Sequence, residues 1–515
     1  MVVWRYGNAE TEFEKGRDMK CGVIKVFYAA IFILTFTQSL TNAGQEKFYN
    51  SVKIEAGDTE REIIYKAAHV VPTDRQTAWQ EIEFEAFIHF GVNTFADREW
   101  GDGKEDPAIF NPVEFDAQQW VEAFKAAGMR GVVLTAKHHD GFCLWPSRYT
   151  EHSVKRSTWK DGKGDIVKEV SQACRRAGLK FGVYLSPWDR HEATYGDSPK
   201  YNEYFRSQLT ELLTNYGTIH EVWFDGACGE GPNGKRQVYD WDSYYEVVRR
   251  LQPGAAISIV GPDARWCGNE AGHTRESEWS VIPTDYNHAD RDIGSREKIL
   301  KAKELKWYPA QVNTSIRPGW FYHASQDNKV KSLEHLLDVY YGSVGGNGQF
   351  LLNLPPDKRG LIHENDVERL KEFGRVIRET FDENLAQGCS VKVSSVRGAD
   401  DKYCAANIVD GDKNTYWTMD EWVETATVEF DLGQEKSFNC VMIQEYIKNG
   451  QRVEKFSLEV WYGGKWVEVA RSTVIGYKRL LRFDTVKARR VRLNIIKSRV
   501  SPTICEFGLY RGPVS

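Results

Sequence analysis

Residues 165–188 read DIVKEVSQACRRAGLKFGVYLSPW, and this stretch shows the pattern that decides the fold of the larger part of the chain. In DIVKEVSQACRRAG (165–178), apolar residues recur at three- and four-residue spacing and a glycine ends the run, as in a helix with a glycine stop. KFGVYLSPW (180–188) is a short apolar run of the kind that forms a buried strand. The stretch therefore predicts a helix followed directly by a strand.

The same alternation continues from about residue 84 to residue 359, where FDAQQWVEAFKAAG (115–128) is a second clear helix. Alternating strands and helices over such a length predict a parallel sheet. Seven strands at this spacing favour an α/β fold, a (β/α)8-like barrel with one irregular strand. A doubly wound sheet is the alternative, but no GxGxxG follows the first strand. The predicted strands are FEAFIHFG (84–91), GVVLTAKHH (131–139), KFGVYLSPW (180–188), EVWFDG (221–226), AAISIVG (255–261), WYPAQVN (307–313) and QFLLNLPP (349–356).

From Ser390 to Arg511 the composition changes to alternating apolar and polar residues separated by turns such as DGD and YGGKW. This pattern predicts an all-β sandwich domain. Its strands are TVEFDLG (427–433), NCVMIQE (439–445), KFSLEVWYGGKWVEVA (455–470) and RRVRLNII (489–496). We predict a barrel over residues 44–387 and a second domain over 388–515.

The start of the chain predicts export. From Met19 it reads MKCGVIKVFYAAIFILTFTQSLTNAGQEK, in which two lysines precede an apolar run and small residues end at Ala43. This is the form of a secretory signal peptide, so residues 1–43 are interpreted as a signal with a mis-started extension before Met19. The apolar run is short for a bilayer span, although an uncleaved anchor is the alternative. We expect a periplasmic or secreted protein with no stable membrane span after cleavage.

Charge and cysteine spacing exclude some functions. The net charge of −5 has both signs scattered along the chain, which argues against nucleic acid as a partner. The eight cysteines after residue 43 form no CxxC pair, so a zinc knuckle is not indicated.

Polar and aromatic residues stand at the carboxyl ends of four predicted strands. Asp225 follows Val222-Trp223-Phe224 directly, His138 and His139 follow VVLTAK, His89 lies in FIHFG, and Trp188 follows VYLSP. In such barrels the chemistry lies at the carboxyl ends of the strands, so these residues are expected to converge on one pocket. A helix-capping role is the alternative for any one of them, and it is the weaker explanation for all four together.

These segments also carry a family resemblance. FIHFGVNTF, TAKHHDGFCLWPS, GVYLSPWDRH, EVWFDGA, GPDARWCGNEAG and IRPGWFYH resemble glycoside hydrolase family 29, the α-L-fucosidases. The segment GPDARWCGNE resembles the subgroup that prefers α-1,3 and α-1,4 fucosyl linkages. The resemblance implies an exo-acting, retaining α-L-fucosidase that acts by double displacement on fucosylated oligosaccharides or glycoconjugates and needs no cofactor for catalysis.

In the family the nucleophile is the aspartate of WFDG, which is Asp225 here, and a rigid strand would fix its direction. The candidates for the proton donor are Glu270, Glu276 and Glu278. Glu270 in GNE matches the subgroup pattern, and Glu276 is the alternative. Such a donor should be partly desolvated so that its pKa rises. Another retaining barrel glycosidase, such as a galactosidase, and a non-catalytic glycan-binding protein are the alternative functions.

The remaining matches imply sugar binding. His89, His138 and His139 can share fucose hydroxyls, although the two adjacent histidines both face a pocket only if the strand breaks there. Zinc binding by His138-His139-Asp140 is the alternative. The other expected substrate-binding residues are Glu99, Trp100, Tyr184, Trp223 and Trp320.

The C-terminal domain has a resemblance of its own. ANIVDGDKNTYWT (406–418), FDLG (430–433) and ICEFGLYR (504–511) resemble the discoidin-like family, which includes carbohydrate-binding module family 32. That family implies a jelly-roll sandwich, often with a structural calcium ion. Asp410, Asp412, Thr415 and Glu506 match the ligand positions, and hard oxygen donors suit calcium. A turn whose aspartates only cap backbone amides is the alternative.

Overall fold

Parallel strands form a nearly closed barrel in the computed structural model, which describes residues 47–512. Around the barrel, hydrogen-bonded strands follow one another in the order β6-β5-β4-β3-β2-β11-β10-β7. A parallel bridge between Ser258 and Ala264 links the two ends of this sheet. The (β/α)8-like fold predicted from the alternating pattern is thereby confirmed. The strands are β2 (Phe84–Ile88), β3 (Gly131–Lys137), β4 (Lys180–Leu185), β5 (Glu221–Phe224), β6 (Ala256–Ile259), β7 (Arg265–Trp266), β10 (Ala310–Ser315) and β11 (Gly348–Asn353).

Two features of the barrel differ from the predicted strands. The irregular eighth strand is the two-residue β7, inside the GPDARWCGNEAG segment. The run WYPAQVN is divided, because Pro309 has no N–H to donate to a ladder. Its first part belongs to a small antiparallel sheet, in the order β1-β9-β8, and its second part is β10. The small sheet consists of β1 (Ser51–Lys53), β8 (Val281–Pro283) and β9 (Glu304–Trp307).

Helices cover the outside of the barrel, and two of them show why the sequence starts and stops them where it does. The helix Ile166–Ala177 begins after Asp165, whose side chain accepts from the N–H of Lys168, and it ends at Gly178 with a φ of 75°. The helix Ala117–Ala127 is capped in the same way by Asp116 and Gly128. The helices are α1 (Glu60–Ala68), α2 (Asp74–Gln80), α3 (Val92–Ala96), α4 (Ala117–Ala127), α5 (Ile166–Ala177), α6 (Ser198–Asn215), α7 (Trp241–Leu251), α8 (Arg296–Ile299), α9 (Leu333–Ser343) and α10 (Glu364–Phe381).

The C-terminal domain is an antiparallel β-sandwich, as predicted. TVEFDLG and NCVMIQE, however, are one strand with bulges rather than two, because the chain keeps pairing across the LGQ turn. The strand order is β13-β18-β14-β17-β15-β16, with β12 paired to β14. The strands are β12 (Ser390–Val393), β13 (Trp417–Thr418), β14 (Ala426–Glu445), β15 (Val453–Tyr462), β16 (Lys465–Ser472), β17 (Arg479–Ser498) and β18 (Thr503–Tyr510).

The barrel and the sandwich belong to one compact unit that begins at Phe48. Buried polar contacts join them, including a 2.6 Å ion pair between Glu83 and Lys478. The proposed boundary near residue 388 therefore separates two folds that share an interface. The predicted signal peptide lies outside the described residues. Among the helices of residues 47–512, none is both long enough and apolar enough to cross a membrane.

Candidate active site

One cavity at the carboxyl end of the barrel brings together all ten residues that the sequence indicates for catalysis and substrate binding. Trp188, which was also expected to converge there, packs against Trp100 and His139 and does not line the cavity. A larger cleft lies elsewhere, beside Phe84, Tyr340 and Phe381, and contains none of them. The sequence did not indicate three further residues that line the cavity. Asn313 could have been found, since it lies near the end of β10, but Phe87 and Ala227 carry no polar signal. The cavity is lined by Phe87, His89, Glu99, Trp100, His138, His139, Tyr184, Trp223, Asp225, Ala227, Glu270, Asn313 and Trp320.

Asp225 follows β5 directly, and its carboxylate is held by two hydrogen bonds. The Ala227 N–H donates to Oδ1 at 2.7 Å, and the Tyr184 hydroxyl donates to Oδ2 at 3.1 Å. Burial, followed by the charge of Asp225, raises the pKa of Tyr184 well above its usual value, so the hydroxyl stays a donor. Asp225 itself is half-buried and Gly226 beside it is exposed. The carboxylate is therefore fixed in direction and approachable from the cavity.

In two buried histidines, the hydrogen-bond partners determine which ring nitrogen carries the proton. The Ser186 hydroxyl donates its single proton to the Trp188 carbonyl, so His139 Nδ1, 2.7 Å from Ser186 Oγ, must be the donor to that oxygen. His89 Nδ1 lies 2.8 Å from Asn353 Oδ1, while the Asn353 amide donates to two other oxygens. Burial lowers the pKa of His139 and lowers that of His89 to about 3. Both rings are neutral, with Nε2 free to accept a hydrogen bond.

The strand break that His138 and His139 require is present. β3 ends at Lys137, and both histidines line the cavity. A zinc ion at this position would need ligand atoms of His139 and Asp140 that already have other partners. His139 Nδ1 contacts Ser186. The two Asp140 oxygens accept from the Asn93 amide at 3.0 Å and from the Phe142 N–H at 2.7 Å. Their geometry therefore gives no support to a zinc site at this position.

Glu99 joins the rim of the cavity to the loop that carries Trp320. One oxygen of Glu99 accepts from the Trp320 N–H at 2.9 Å, and the other lies 2.7 Å from His323 Nε2. The second nitrogen of His323 contacts Asp97 at 2.7 Å. Burial opposes protonation of His323, but the contacts with Asp97 and Glu99 outweigh it and raise its pKa. Glu99 therefore holds the rim together as well as facing the cavity.

The aromatic residues form a wall and an outer edge. Trp223 stacks on Tyr184 with ring centroids 5.1 Å apart, and its indole N–H donates to Gln311 Oε1 at 2.7 Å. Trp100 is different, since 57% of its surface is exposed and it meets His139 and Trp188 edge-on. Trp223 and Tyr184 are thus inner residues, whereas Trp100 borders the opening.

Glu270 lies on a loop that leaves the short strand β7 and lines the cavity. Gly268 and Gly272 have φ values of 98° and 90°, a conformation that glycine adopts without strain. The Asn269 side chain closes the loop by bonding to the Ala271 N–H and the His273 carbonyl, each at 3.0 Å. Glu270 is exposed, which differs from the expected partial desolvation, because the loop stands at the open rim.

The two other glutamates of this region are positioned for different tasks. Glu276 is exposed, outside the cavity lining, and its carbonyl accepts from Thr473 and Arg479 of the β-sandwich. Arg275, the residue before Glu276, contacts the buried Glu278 at 3.4 Å. Of the three, only Glu270 faces the cavity.

Comparison with known proteins agrees with this arrangement. The α-L-fucosidase family model matches residues 104–380, and the F5/8 type C domain model matches residues 390–507. α-L-Fucosidase 1 of Arabidopsis thaliana is 44% identical over 449 residues, which cover 85% of this chain and 87% of the relative.

Two solved structures extend the comparison. A family 29 fucosidase of Ruminococcus gnavus in complex with fucose is 34% identical, with a TM-score of 0.78 over 86% of this chain and 95% of that one. A glycoside hydrolase 29 family member from a rumen bacterium is 41% identical, with a TM-score of 0.74 over 86% and 78%. The chain therefore belongs to glycoside hydrolase family 29, the α-L-fucosidases, and carries a C-terminal discoidin-like domain.

Proposed function

We propose that the protein is an exo-acting, retaining α-L-fucosidase that removes terminal α-1,3- and α-1,4-linked fucose, with Asp225 as nucleophile and Glu270 as acid/base. The observation that carries the proposal is the shared cavity: Asp225 and Glu270 face it from β5 and from the loop after β7. The complex of the Ruminococcus gnavus fucosidase with fucose supports the choice of sugar.

In the first step Asp225 attacks the anomeric carbon while Glu270 protonates the leaving oxygen, which gives a β-linked fucosyl ester. In the second step Glu270 removes a proton from water, and attack on the ester releases α-fucose. Tyr184 and the Ala227 N–H hold the Asp225 carboxylate in line for the attack. Glu270 is exposed in the free protein, and the aglycone of the bound substrate would cover it.

The histidines fit the recognition of sugar hydroxyls. His89 and His139 present an unprotonated Nε2, so each accepts from a hydroxyl of the substrate. His138 also lines the pocket. Tyr184, Trp223 and Trp320 offer an apolar surface for the C5 methyl group of fucose. The exposed Trp100 and the GPDARWCGNE loop border the opening, where the next sugar of a branched α-1,3 or α-1,4 glycan would lie.

The acid/base assignment is tested with Glu270→Ala. A general acid contributes about 10²- to 10⁴-fold, and its loss affects poor leaving groups most. We therefore expect a large loss of activity on a fucosylated trisaccharide and a small loss on fucosyl fluoride. Added azide should restore the rate and give α-fucosyl azide, because it intercepts the β-linked ester.

The matched control is Glu276→Ala, which removes an exposed glutamate of the same segment. If Glu276→Ala shows the leaving-group dependence and azide rescue instead, the two roles must be exchanged. A 2-fluoro-fucosyl reagent should label Asp225, and labelling of another carboxylate would refute its assignment as nucleophile.

We also propose a structural calcium ion in the β-sandwich. The Thr415 hydroxyl donates to Asp410 Oδ2 at 2.7 Å. Burial, together with the charges of Asp410 and Asp412, raises the pKa of Glu506 to about 7. Oxygen donors with mutual repulsion of this kind fit a hard cation, which these four residues would hold.

A calcium-selective chelator should lower the melting temperature of the full-length protein by several degrees, since the folded state loses a ligand. Fucose release should hardly change, because the donors are in the other domain. Asp412→Ala should abolish the response to the chelator. Identical melting curves with and without chelator would instead support a turn that only caps backbone amides. Export remains a proposal that rests on residues 1–43, and fractionation of the native host tests it.

A further inference from the structure

A second cluster of ionisable groups lies at the opposite, amino-terminal end of the barrel strands. Glu85 is the second residue of β2, Glu221 is the first residue of β5, and His220 precedes Glu221. Both carboxylates are fully buried, and 12% of the His220 side chain is exposed. Within residues 47–512 neither carboxylate pairs with a lysine or an arginine. Buried carboxylates without a cation are costly, so this cluster needs a positive partner or a proton.

The outer oxygens of the two carboxylates are already bound. Gln311 Nε2 donates to Glu221 Oε1 at 2.9 Å, and Gln349 Nε2 donates to Glu85 Oε2. This leaves Glu85 Oε1, Glu221 Oε2 and His220 Nε2, none of which makes a hydrogen bond of acceptable geometry. The three atoms lie within 4.8 Å of one another. The three atoms therefore face one another, and the 2.6 Å approach of His220 Nε2 to Glu85 Oε1 needs either a shared proton or a metal ion.

A further polar group faces this point. The Ser258 hydroxyl is fully buried and within hydrogen-bonding reach of Glu221, although the geometry between them is too poor for a good hydrogen bond. On the opposite side, Gly131 leaves room for Glu85, because a Cβ at this position would lie 2.0 Å from Glu85 Oε1. The site thus has three converging donors and a fourth oxygen nearby.

We propose that Glu85, His220 and Glu221 bind a divalent transition-metal ion, with zinc matching the donor set of one imidazole and two carboxylates. Such mixed nitrogen and oxygen sets bind zinc at about 2.0 to 2.2 Å. His220 Nε2 is 2.6 Å from Glu85 Oε1 and 4.0 Å from Glu221 Oε2, so a small shift of the imidazole would place all three donors around one ion. Gln311 and Gln349 would orient the carboxylates, as outer partners of metal ligands do.

The ion would have a structural role. Gln311 accepts from the Trp223 indole N–H and donates to Glu221, so hydrogen bonds connect the metal ligands to the wall of the fucose pocket. An ion that fixes Glu221 would also fix Gln311 and Trp223. The alternative is a shared proton, because the 2.6 Å contact between His220 and Glu85 requires one when no metal is bound.

Metal content distinguishes the two occupants. The full-length protein is purified without added metal or chelator. Inductively coupled plasma mass spectrometry then measures its content of the transition metals from manganese to zinc, and calcium is counted separately. We expect about one transition-metal ion per chain in the wild type. The metal content of Glu221→Gln and of His220→Gln should be lower by about tenfold or more. Glu211→Gln, a buried glutamate of the same barrel that bonds to Trp145 and Arg148, should keep the metal.

Thermal unfolding is an independent measurement. If the metal is present, a zinc-selective chelator lowers the melting temperature of the wild type and added zinc restores it. Glu221→Gln then has a lower melting temperature than the wild type, and neither the chelator nor zinc changes it. If a proton fills the site, the neutral amide leaves the melting temperature equal or higher, and the chelator has no effect. That result, or wild-type protein that binds no metal even after incubation with zinc, would overturn the proposal.

Discussion

At the scale of single residues, the site works through fixed donors and acceptors. In His89 and in His139, Nδ1 is hydrogen-bonded to a protein oxygen, which leaves Nε2 for the substrate. Asp225 accepts from Tyr184 and from the backbone, so its direction does not depend on the sugar. The sequence placed these residues at strand ends, but only their partners determine which atom of each is free.

Tyr184→Phe should weaken catalysis while the fold persists. A hydrogen bond to a charged group contributes about 1.5 to 3 kcal/mol, so kcat/KM should fall by about 10- to 150-fold, mainly through kcat. The matched control is Tyr216→Phe, whose hydroxyl also donates to an aspartate, Asp165, at 3.1 Å but far from the pocket. Equal losses in the two variants would mean that the Tyr184 hydroxyl only supports the fold.

At the scale of elements, the β-sandwich holds the end of the loop that carries Glu270. The Glu276 carbonyl accepts from Thr473 and Arg479. Gln451 is fully buried, accepts from the Ser280 N–H at 2.7 Å and donates to the Glu278 carbonyl at 3.2 Å. Residues 276–280 are thus anchored by the second domain.

Gln451→Leu should therefore misplace Glu270. We expect a loss of about tenfold in kcat/KM on an unactivated trisaccharide and a smaller loss on fucosyl fluoride, since small displacements of catalytic groups are costly. Gln444→Leu is the control, because the side chain of this buried glutamine donates to the Tyr477 carbonyl within the sandwich. The anchoring role is refuted if both variants lose stability and activity to the same extent on both substrates.

At the scale of the whole molecule, the two domains share a buried ion pair. Lys478 of the sandwich lies 2.6 Å from Glu83, which precedes the first barrel strand, and the Tyr477 hydroxyl donates to the same oxygen at 2.9 Å. Burial alone would raise the pKa of Glu83, but the charges of Lys478, Lys413 and Arg130 lower it to about 2. The interface therefore contains a carboxylate that stays charged at neutral pH.

Lys478→Met should destabilise the entire molecule, because it removes the 2.6 Å cationic partner of the buried Glu83 and leaves it the more distant Lys413, at 4.0 Å. Breaking a buried ion pair costs about 3 to 5 kcal/mol. The double variant Glu83→Gln/Lys478→Met should recover much of this loss. Chemical denaturation followed by fluorescence and circular dichroism should show one transition that shifts as a unit. A separate transition of the sandwich alone, with the barrel unaffected, would show that the domains are not coupled in this way.

The sequence by itself determined the barrel, the β-sandwich and the position of Asp225, because burial on a strand or helix leaves a periodic pattern and glycines mark the ends. The GNE segment favoured Glu270, but the tertiary structure decided which glutamate faces the pocket, since it leaves Glu276 exposed outside the cavity and buries Glu278. It also showed the two-residue strand β7, too short for a pattern, and the convergence of Glu85 with Glu221, which are more than a hundred residues apart. Contacts of this kind depend on how strands are ordered around the barrel, and no local pattern records that order.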